Sequence, residues 1–344
     1  MKQNKRFLAM ALAGAMTVGC LAGCGGSSSD SGTAAPAGSA AGSASAAPSS
    51  GSKGTITVIT MALNSDYWHA VQAGAILAGE EYGYKINVLG PNDESNAQEQ
   101  CNQILDAVSA GTDAIVLSAN NPDTVVSTAA DVHADGMPLV EIDSSLPDEN
   151  AYDAFLGTNN YDAGKALGDF IGAQDSSAKV AVIRGLVGTS NHDNRCKGIE
   201  DGVAAAGAEV VGVQPADCDR AKAVTVAENF IQANPDLTAF AATNDEMALG
   251  AYEAVKAAGK EKEIIVYGFD GSIGGLESII NGELAGSAAQ DPVQEGYGGV
   301  ELAVKILEGQ DYEKENDNPF QIVTTENAQQ VYDELMADMK AAGF

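Results

Sequence analysis

The amino-acid sequence predicts an α/β protein built as two similar, doubly wound parallel-sheet lobes. Segments rich in β-branched residues alternate with segments of helical periodicity, and this alternation runs through the chain twice. Strands that alternate with helices form a parallel sheet covered on both faces. The chain has 344 residues, of which 45% are hydrophobic, so it can bury the cores of two domains of ordinary size.

The first run of alternation extends from Thr55 to Leu156. Short β-branched or apolar segments predict five strands: Thr55–Met61, Tyr84–Leu89, Ala114–Leu117, Pro138–Ile142 and Ala154–Leu156. Apolar residues at helical spacing predict three helices between them: Asp66–Tyr82, Ala97–Ala110 and Pro122–Ala134. A proline at the start of the third helix and Gly136 beyond its end are typical of helix boundaries.

The second run begins at Val180. Its predicted strands are Val180–Ile183, Glu209–Val213, Ala239–Ala242, Ile264–Tyr267, Ala285–Ala288 and, near the end of the chain, Phe320–Val323. Its predicted helices are Asn194–Ala206, Ala221–Ala233, Asp245–Ala258, Ile273–Asn281 and Val293–Leu307.

The N-terminal residues have the pattern of a secretory signal, which predicts a signal peptide over residues 1–23. Three basic residues precede the apolar stretch Phe7–Val18, which is shorter than the roughly 20 residues that span a bilayer. The stretch ends at Leu21–Cys24, which resembles a bacterial lipobox and predicts lipidation of Cys24. An ordinary signal peptide with an incidental Cys is the alternative. Residues 24–54, mostly Gly, Ser, Ala and Pro, are predicted to form a disordered linker.

Composition excludes several classes of partner and site. The formal net charge of -30 argues against nucleic acid and against anionic lipid headgroups, which both bind clustered Lys and Arg. The five cysteines include no C-x-x-C pair, and the three histidines lack metal-ligand spacing, so we expect no metal. A bridge among Cys101, Cys196 and Cys218 stays open.

Polar and aromatic residues follow the predicted strands, at the edge where open α/β sheets bind ligands. Tyr67 and Trp68, the single Trp of the chain, offer flat apolar faces for a sugar ring, although Trp68 is alternatively a core residue. Carboxylates, amides and a guanidinium suit the hydroxyls of a neutral ligand. The candidate contacts are Ser65, Tyr67, Trp68, Asp143, Asp193, Arg195, Asn244, Asp270 and Gln290.

Four segments resemble the ribose-type family of type I periplasmic sugar-binding proteins: Gln214–Asp217, Asn244–Ala251, Gly268–Gly271 and Ala288–Gln290. The resemblance covers about Thr55 to about Val323. It implies sugar contacts at Tyr67, Trp68, Asp143, Arg195, Asn244, Asp270 and Gln290, and the type I periplasmic binding protein fold. Three hinge strands would then join an N-terminal lobe of residues 55–158 plus 291–321 to a C-terminal lobe of residues 159–290 plus 322–344.

The same resemblance implies a role and a place. The chain would capture a monosaccharide or polyol, without a cofactor, at the outer face of the cytoplasmic membrane and deliver it to the membrane subunits of an ABC importer. A sensor that presents the sugar to a membrane receptor or kinase is the alternative. The lactose-repressor family shares the fold, but its N-terminal helix-turn-helix is replaced here by the signal peptide and linker.

Several positions depart from the ribose pattern. Ser144 stands where an Arg is expected, Cys218 where an aromatic residue is expected, Ser65 in place of Asn and Met61 in place of Ser. The loss of a guanidinium and a ring predicts a ligand larger than ribose, with Asp193 or His192 supplying other contacts.

An enzyme is the main rival reading of the sequence. Gly157–Lys165 superficially resembles a phosphate loop, but its glycines have the wrong spacing and Ala166 replaces Ser or Thr. The segment around Ser190 lacks the second Gly of a nucleophile elbow. The sequence therefore predicts a binding protein that is not an enzyme.

Overall fold

The structure is a computed structural model that describes residues 51–92 and 94–344. The signal peptide, Cys24 and most of the linker lie outside these residues and stay predictions. Lys53, near the end of the expected linker, is fixed to the body of the protein: its N–H donates to Gly83 O at 2.8 Å and its Nζ pairs with Glu308 at 2.7 Å. No helix in the described ranges combines the length and apolarity needed to cross a membrane.

The chain forms two sheets in succession. The first part contains β1 (Thr55–Ile59), α1 (Asp66–Tyr82), β2 (Lys85–Leu89), α2 (Ala97–Ser109), β3 (Ala114–Leu117), α3 (Pro122–Ala134), β4 (Leu139–Ile142) and β5 (Ala154–Thr158). The second part contains α4 (Asn160–Gln174), β6 (Lys179–Arg184), α5 (Ser190–Ala205), β7 (Glu209–Pro215), α6 (Arg220–Ala233), β8 (Ala239–Ala242), α7 (Asp245–Ala257), β9 (Ile265–Asp270), α8 (Ile273–Ile280) and β10 (Gly286–Gln290). The last part contains α9 (Pro292–Leu307), β11 (Glu315–Asn318), β12 (Phe320–Thr324) and α10 (Ala328–Ala341).

The two sheets share one topology, which confirms the predicted fold class. The first has the order β11-β5-β4-β3-β1-β2 and the second the order β12-β10-β9-β8-β6-β7. They differ in the last strand, because β11 is parallel to β5 whereas β12 is antiparallel to β10. Only Pro319 separates β11 from β12, so the chain continues out of one sheet into the other in the same direction.

The chain passes between the sheets at three adjacent places. These lie after Thr158, after Gln290 and at Pro319; the predicted boundary at residue 321 lies inside β12. Asn318 is paired in register with Thr158, and its Nδ2 donates to Asp291 O at 3.0 Å, which joins the three crossings. The carboxyl ends of the parallel strands of both sheets therefore face a common cleft.

Three elements are missing from the sequence-based assignment: α4, β11 and α10. The helix α4 contains Gly164 and Gly168, which lower helix propensity. Their absence of a side chain is needed for contact with α5, because a Cβ on Gly164 would lie 2.3 Å from Arg195 O. Packing against α5 thus stabilises a helix that local helix propensity does not predict.

Candidate functional site

A cavity lies in the cleft between the two lobes. Its inner part has a volume of about 40 Å³ and its outer part about 630 Å³, and both are lined by Ser65, Asp66, Glu94, Asn244 and Glu246. The inner part is also lined by Met61, Tyr67, Trp68, Asp143, Asn191, His192, Arg195, Asp270, Ser272 and Gln290. A space of 40 Å³ admits little more than a water molecule. A larger ligand must therefore replace contacts that the two lobes now make with each other.

The first lobe contributes the aromatic wall of the inner cavity. Tyr67 and Trp68 lie in the first turn of α1, with ring centroids 5.0 Å apart and perpendicular planes. The Tyr67 hydroxyl donates to Glu295 Oε2 at 2.6 Å, and Trp68 Nε1 donates to Glu94 Oε1 at 3.0 Å. These bonds fix both rings while leaving them against the cavity.

The second lobe contributes a fixed guanidinium. Arg195 lies in α5 and is buried; its Nε donates to Asn160 Oδ1 at 2.7 Å, and its NH1 donates to Thr243 O at 3.0 Å and to Asp270 Oδ1 at 2.9 Å. The guanidinium carbon lies 4.0 Å from the centroid of the Phe269 ring. Stacking and these bonds hold the planar fork in one orientation.

Three side chains at strand ends complete the wall of the second lobe. Gln290 Nε2 donates to Asp270 Oδ1 at 2.9 Å, while the buried Gln290 Oε1 has no partner among the described residues. Asn244 caps α7 by accepting from Met247 N at 2.9 Å, which leaves its NH₂ group as the donor available to a ligand. The wall thus offers one unused acceptor, on Gln290, and one donor group, on Asn244, to a ligand that enters the cavity.

Asp143 joins the two lobes across the cavity. It follows β4 with a φ of 63° and is buried. Its Oδ2 accepts from Asn191 Nδ2 at 3.1 Å, and its Oδ1 lies 3.9 Å from Arg195 NH2. Both partners belong to α5 of the second lobe, so this carboxylate is engaged only while the cleft is closed.

Burial sets the protonation of the acids in the cavity. Desolvation raises the pKa of Asp143 to about 6 against the opposing effect of Arg195, and raises the pKa of Asp270 well above its usual range. Desolvation and the nearby Asp143 raise the pKa of Glu295 well above its usual range. Burial lowers the pKa of Arg195, but Asp270 and Asp143 outweigh it and leave that pKa raised. The permanent positive charge of Arg195 is therefore the charge that compensates all three buried acids.

The structure brings together all the candidate contacts except Asp193. Asp193 pairs with Arg184, and its side chain is 46% exposed outside both cavities. The structure therefore does not bring Asp193 together with the other candidate contacts, and the reason is its position on α5. The helix α5 begins at Ser190, four residues before the predicted start. Residues 191, 192 and 195 lie on the face of α5 that lines the cavity, whereas Asp193 lies on another face.

Sequence reasoning missed Asn191 and Glu94. A correct start for α5 places Asn191 one turn before Arg195, so helical periodicity can find it. Glu94 lies in the connection between β2 and α2, where no spacing singles it out. Asp245, the first residue of α7, is buried and accepts from Ser272 N, Ser272 Oγ and Ser287 Oγ at 2.8, 3.0 and 2.8 Å.

The positions that depart from the ribose pattern lie differently in the cavity. Ser144 is buried and donates to Ala119 O at 2.8 Å, away from the lining. Cys218 lines the outer cavity, and its Sγ lies 3.1 Å from His192 Nε2. The loop that is expected to carry an aromatic wall therefore carries a thiol against an imidazole.

Comparison with known proteins gives one consistent result. Residues 56–311 match the family described as the periplasmic binding protein domain. The chain is 33% identical to the ribose import binding protein of Escherichia coli strain K12 over 260 residues, which cover 75% of this chain and 86% of the relative. It is 32% identical to the ribose import binding protein of Bacillus subtilis strain 168 over 278 residues, which cover 80% and 89%.

This chain is also similar, in sequence and in fold, to a protein of known structure. It is an ABC transporter solute-binding protein from Agrobacterium vitis with bound D-fucose; the TM-score is 0.74 and the identity 32%, with 80% of this chain and 96% of that chain covered. The chain therefore belongs to the periplasmic binding protein family and, within it, to the ribose-type type I sugar-binding proteins.

Proposed function

We propose that this chain is a lipid-anchored solute-binding protein that captures an uncharged monosaccharide or polyol between its lobes and delivers it to an ABC importer. The ligand contacts in this proposal are Ser65, Tyr67, Trp68, Asp143, Arg195, Asn244, Asp270 and Gln290. The observation that carries the proposal is their convergence from both lobes on one cavity.

The chemistry of the cavity supports a neutral polyhydroxylated ligand. A sugar hydroxyl both donates and accepts, so it can donate to Asp143 or to Gln290 Oε1 and accept from Arg195 or Asn244. The perpendicular pair of Tyr67 and Trp68 supplies apolar surface for the C–H face of a ring. No cofactor is required for this role.

The ligand in this proposal is a hexose or an inositol in preference to ribose. Cys218 lines the outer cavity where the resemblance implies an aromatic wall, and a thiol occupies less space than a ring. A larger ring would extend from the inner cavity toward this side. The D-fucose bound to the Agrobacterium vitis relative is consistent with a six-carbon ligand.

The role proposed is binding without chemistry. Cys218 and His192 are as close as the thiol and imidazole of a cysteine nucleophile. Burial, and to a smaller extent the nearby charge of Glu94, raise the pKa of Cys218. Burial and the nearby charges of Arg195 and Arg184 lower the pKa of His192. Both shifts favour the neutral pair, which is a weak nucleophile. Recovery of an unaltered sugar after prolonged incubation, checked by NMR, is the expected result.

Membrane attachment is proposed through Cys24, on the pattern at Leu21–Cys24. Mass spectrometry of the native protein should find residue 24 as a diacylglycerol-modified N-terminus. An unmodified Met1, or cleavage elsewhere, would contradict the anchor without affecting the sugar site.

A calorimetric screen tests the proposed ligand class. Ribose and other pentoses, hexoses, inositols and small amino acids are titrated into the protein. We expect saturable binding of at least one hexose or inositol, more tightly than ribose. Binding of amino acids alone would overturn the proposal, and ribose binding at least about tenfold tighter than every hexose and inositol would overturn the choice of ring size.

A further inference from the structure

Three side chains of different chemistry meet at the boundary between the inner and outer cavities. They are Glu94, His192 and Cys218, whose carboxylate oxygen, imidazole nitrogen and sulfur all lie within 4.8 Å of one another. Cys218 Sγ lies 3.1 Å from His192 Nε2. These groups come from residues 94, 192 and 218, too far apart in sequence for any spacing to indicate a shared site.

The three residues belong to both lobes. Glu94 lies between β2 and α2 of the first lobe, His192 in α5 and Cys218 between β7 and α6 of the second lobe. The backbone at Asp217 and Cys218 has φ values of 53° and 59°, a left-handed conformation that non-glycine residues seldom adopt. Such strain persists where the surrounding structure holds it and is frequent at functional sites.

The set of donors matches the preference of zinc. Zn²⁺ binds thiolate sulfur, imidazole nitrogen and carboxylate oxygen, whereas Mg²⁺ and Ca²⁺ prefer oxygen alone. Three protein ligands with an open fourth position are common for this ion. The outer cavity of about 630 Å³, lined by Glu94 and Cys218, provides an entry path and room for a water molecule at that position.

Neighbouring residues already orient two of the ligands. His192 Nδ1 lies 2.9 Å from Thr243 Oγ1, which directs Nε2 toward the cluster. Glu94 Oε1 accepts from Trp68 Nε1 at 3.0 Å, which fixes that carboxylate. Hydrogen bonds of this kind orient metal ligands and tune their affinity.

We propose that Glu94, His192 and Cys218 form a Zn²⁺ site that bridges the two lobes. On binding, the Cys218 S–H releases its proton to solvent and the sulfur coordinates as a thiolate, while His192 coordinates as a neutral imidazole. Thiolate and carboxylate together neutralise the two charges of the ion. Because the ligands span the cleft, the ion favours the closed arrangement, a regulation separate from capture of a sugar.

Metal titration of the full chain tests this site. All variants carry Cys20→Ser and Cys24→Ser, so that the thiols left are the three free cysteines of the described residues, Cys101, Cys196 and Cys218. Zn²⁺ affinity is measured by competition with a chromogenic chelator, and Co²⁺ serves as the spectroscopic probe. We expect one Zn²⁺ per chain and a sulfur-to-cobalt charge-transfer band.

Two substitutions and one matched control decide the outcome. Cys218→Ser should abolish the charge-transfer band, and Cys218→Ser and Glu94→Gln should each weaken Zn²⁺ binding at least about 100-fold. Cys196→Ser, which removes another buried thiol of the second lobe, should leave both readouts unchanged. Thermal unfolding in chelator checks that each variant is folded. No stoichiometric Zn²⁺ in the parent, or binding that survives in folded Cys218→Ser, would overturn the proposal, whatever the sugar screen gives.

Discussion

The two walls of the cavity hold their charges in different ways. In the second lobe, Arg195 is satisfied by Asn160, Thr243 O and Asp270 of the same lobe. In the first lobe, Asp143 is buried beside Glu295, and the nearest described cation is Arg195 of the second lobe, 3.9 Å from Asp143 Oδ1. The second wall is therefore organised by its own lobe, whereas the first depends on closure for its compensating charge.

This difference assigns separate tasks to the lobes. A wall with fixed donors and acceptors can bind a sugar without reorganisation, which lowers the cost of binding. A wall with buried acids and no cation of its own gains when the other lobe approaches. A ligand that bridges the lobes then favours the closed state through its differential affinity.

The largest effect is expected for Arg195→Lys, which breaks the organised wall. Lys keeps the charge but loses the planar fork, so the bonds to Asn160, Thr243 O and Asp270 cannot all form. Loss of a buried charged hydrogen bond costs about 2–5 kcal/mol, so sugar affinity should fall by at least about 30-fold in calorimetry. Arg184→Lys, outside both cavities, is the control. Undiminished affinity in Arg195→Lys would refute the assignment of this wall.

A change in the pH dependence of stability is expected for Glu141→Gln in the first lobe. Glu141 is buried in β4; its Oε2 accepts from Leu146 N at 2.6 Å and its Oε1 has no partner among the described residues. Burial raises its pKa from 4.5 to about 8. The folded state then binds a proton that the unfolded state releases above about pH 4.5, so stability falls as pH rises toward about 8.

Gln stays neutral, so Glu141→Gln should remove this loss of stability with rising pH. Near pH 8 its free energy of unfolding should exceed that of the wild type by about a few kcal/mol. Denaturant unfolding between these pH values measures the effect, with exposed Glu261→Gln as the control. Parallel stability curves for Glu141→Gln and the wild type would contradict the account of the first lobe.

Sugar affinity should fall with acidification because of Asp143. Its pKa of about 6 leaves it mostly ionised at neutral pH and mostly protonated below about pH 5. A protonated carboxyl is a weaker acceptor, so affinity should drop about tenfold between about pH 7 and about pH 5. Asp143→Asn should bind weakly with a flat profile over this range, and Asp193→Asn should keep the profile of the wild type. An identical slope in Asp143→Asn would assign the titration to another group.

The smallest effect is expected for Tyr67→Phe. This change removes the hydroxyl that donates to Glu295 and keeps the ring, so it separates the polar from the apolar part of the aromatic wall. A lost hydrogen bond of this kind costs about 1 kcal/mol, and sugar affinity should fall less than about tenfold. Tyr161→Phe, which loses an exposed bond to Asp201, should change nothing. A loss as large as that of Arg195→Lys would show that the hydroxyl itself carries recognition.

Strand periodicity predicted most of the fold, and strand ends predicted most of the cavity lining. Both succeed because a parallel sheet brings the carboxyl ends of its strands to one edge. The helix α4 escaped because Gly164 and Gly168 lower its propensity, and the contact with α5 that requires them is nonlocal. Glu94 and the pairing of Cys218 with His192 escaped because their proximity arises only from the approach of separate loops.

The emission of Trp68 tests most directly that the ligand lies between the two walls. Trp68 is the only Trp of the chain, lines the inner cavity from the first lobe and donates to Glu94. Titration with the tightest sugar from the screen should change its emission saturably, with a midpoint equal to the calorimetric Kd. Asn244→Ala in the opposite wall should shift that midpoint upward. A sugar that binds in calorimetry without changing Trp68 emission, or a midpoint unmoved by Asn244→Ala, would contradict a site shared by both lobes.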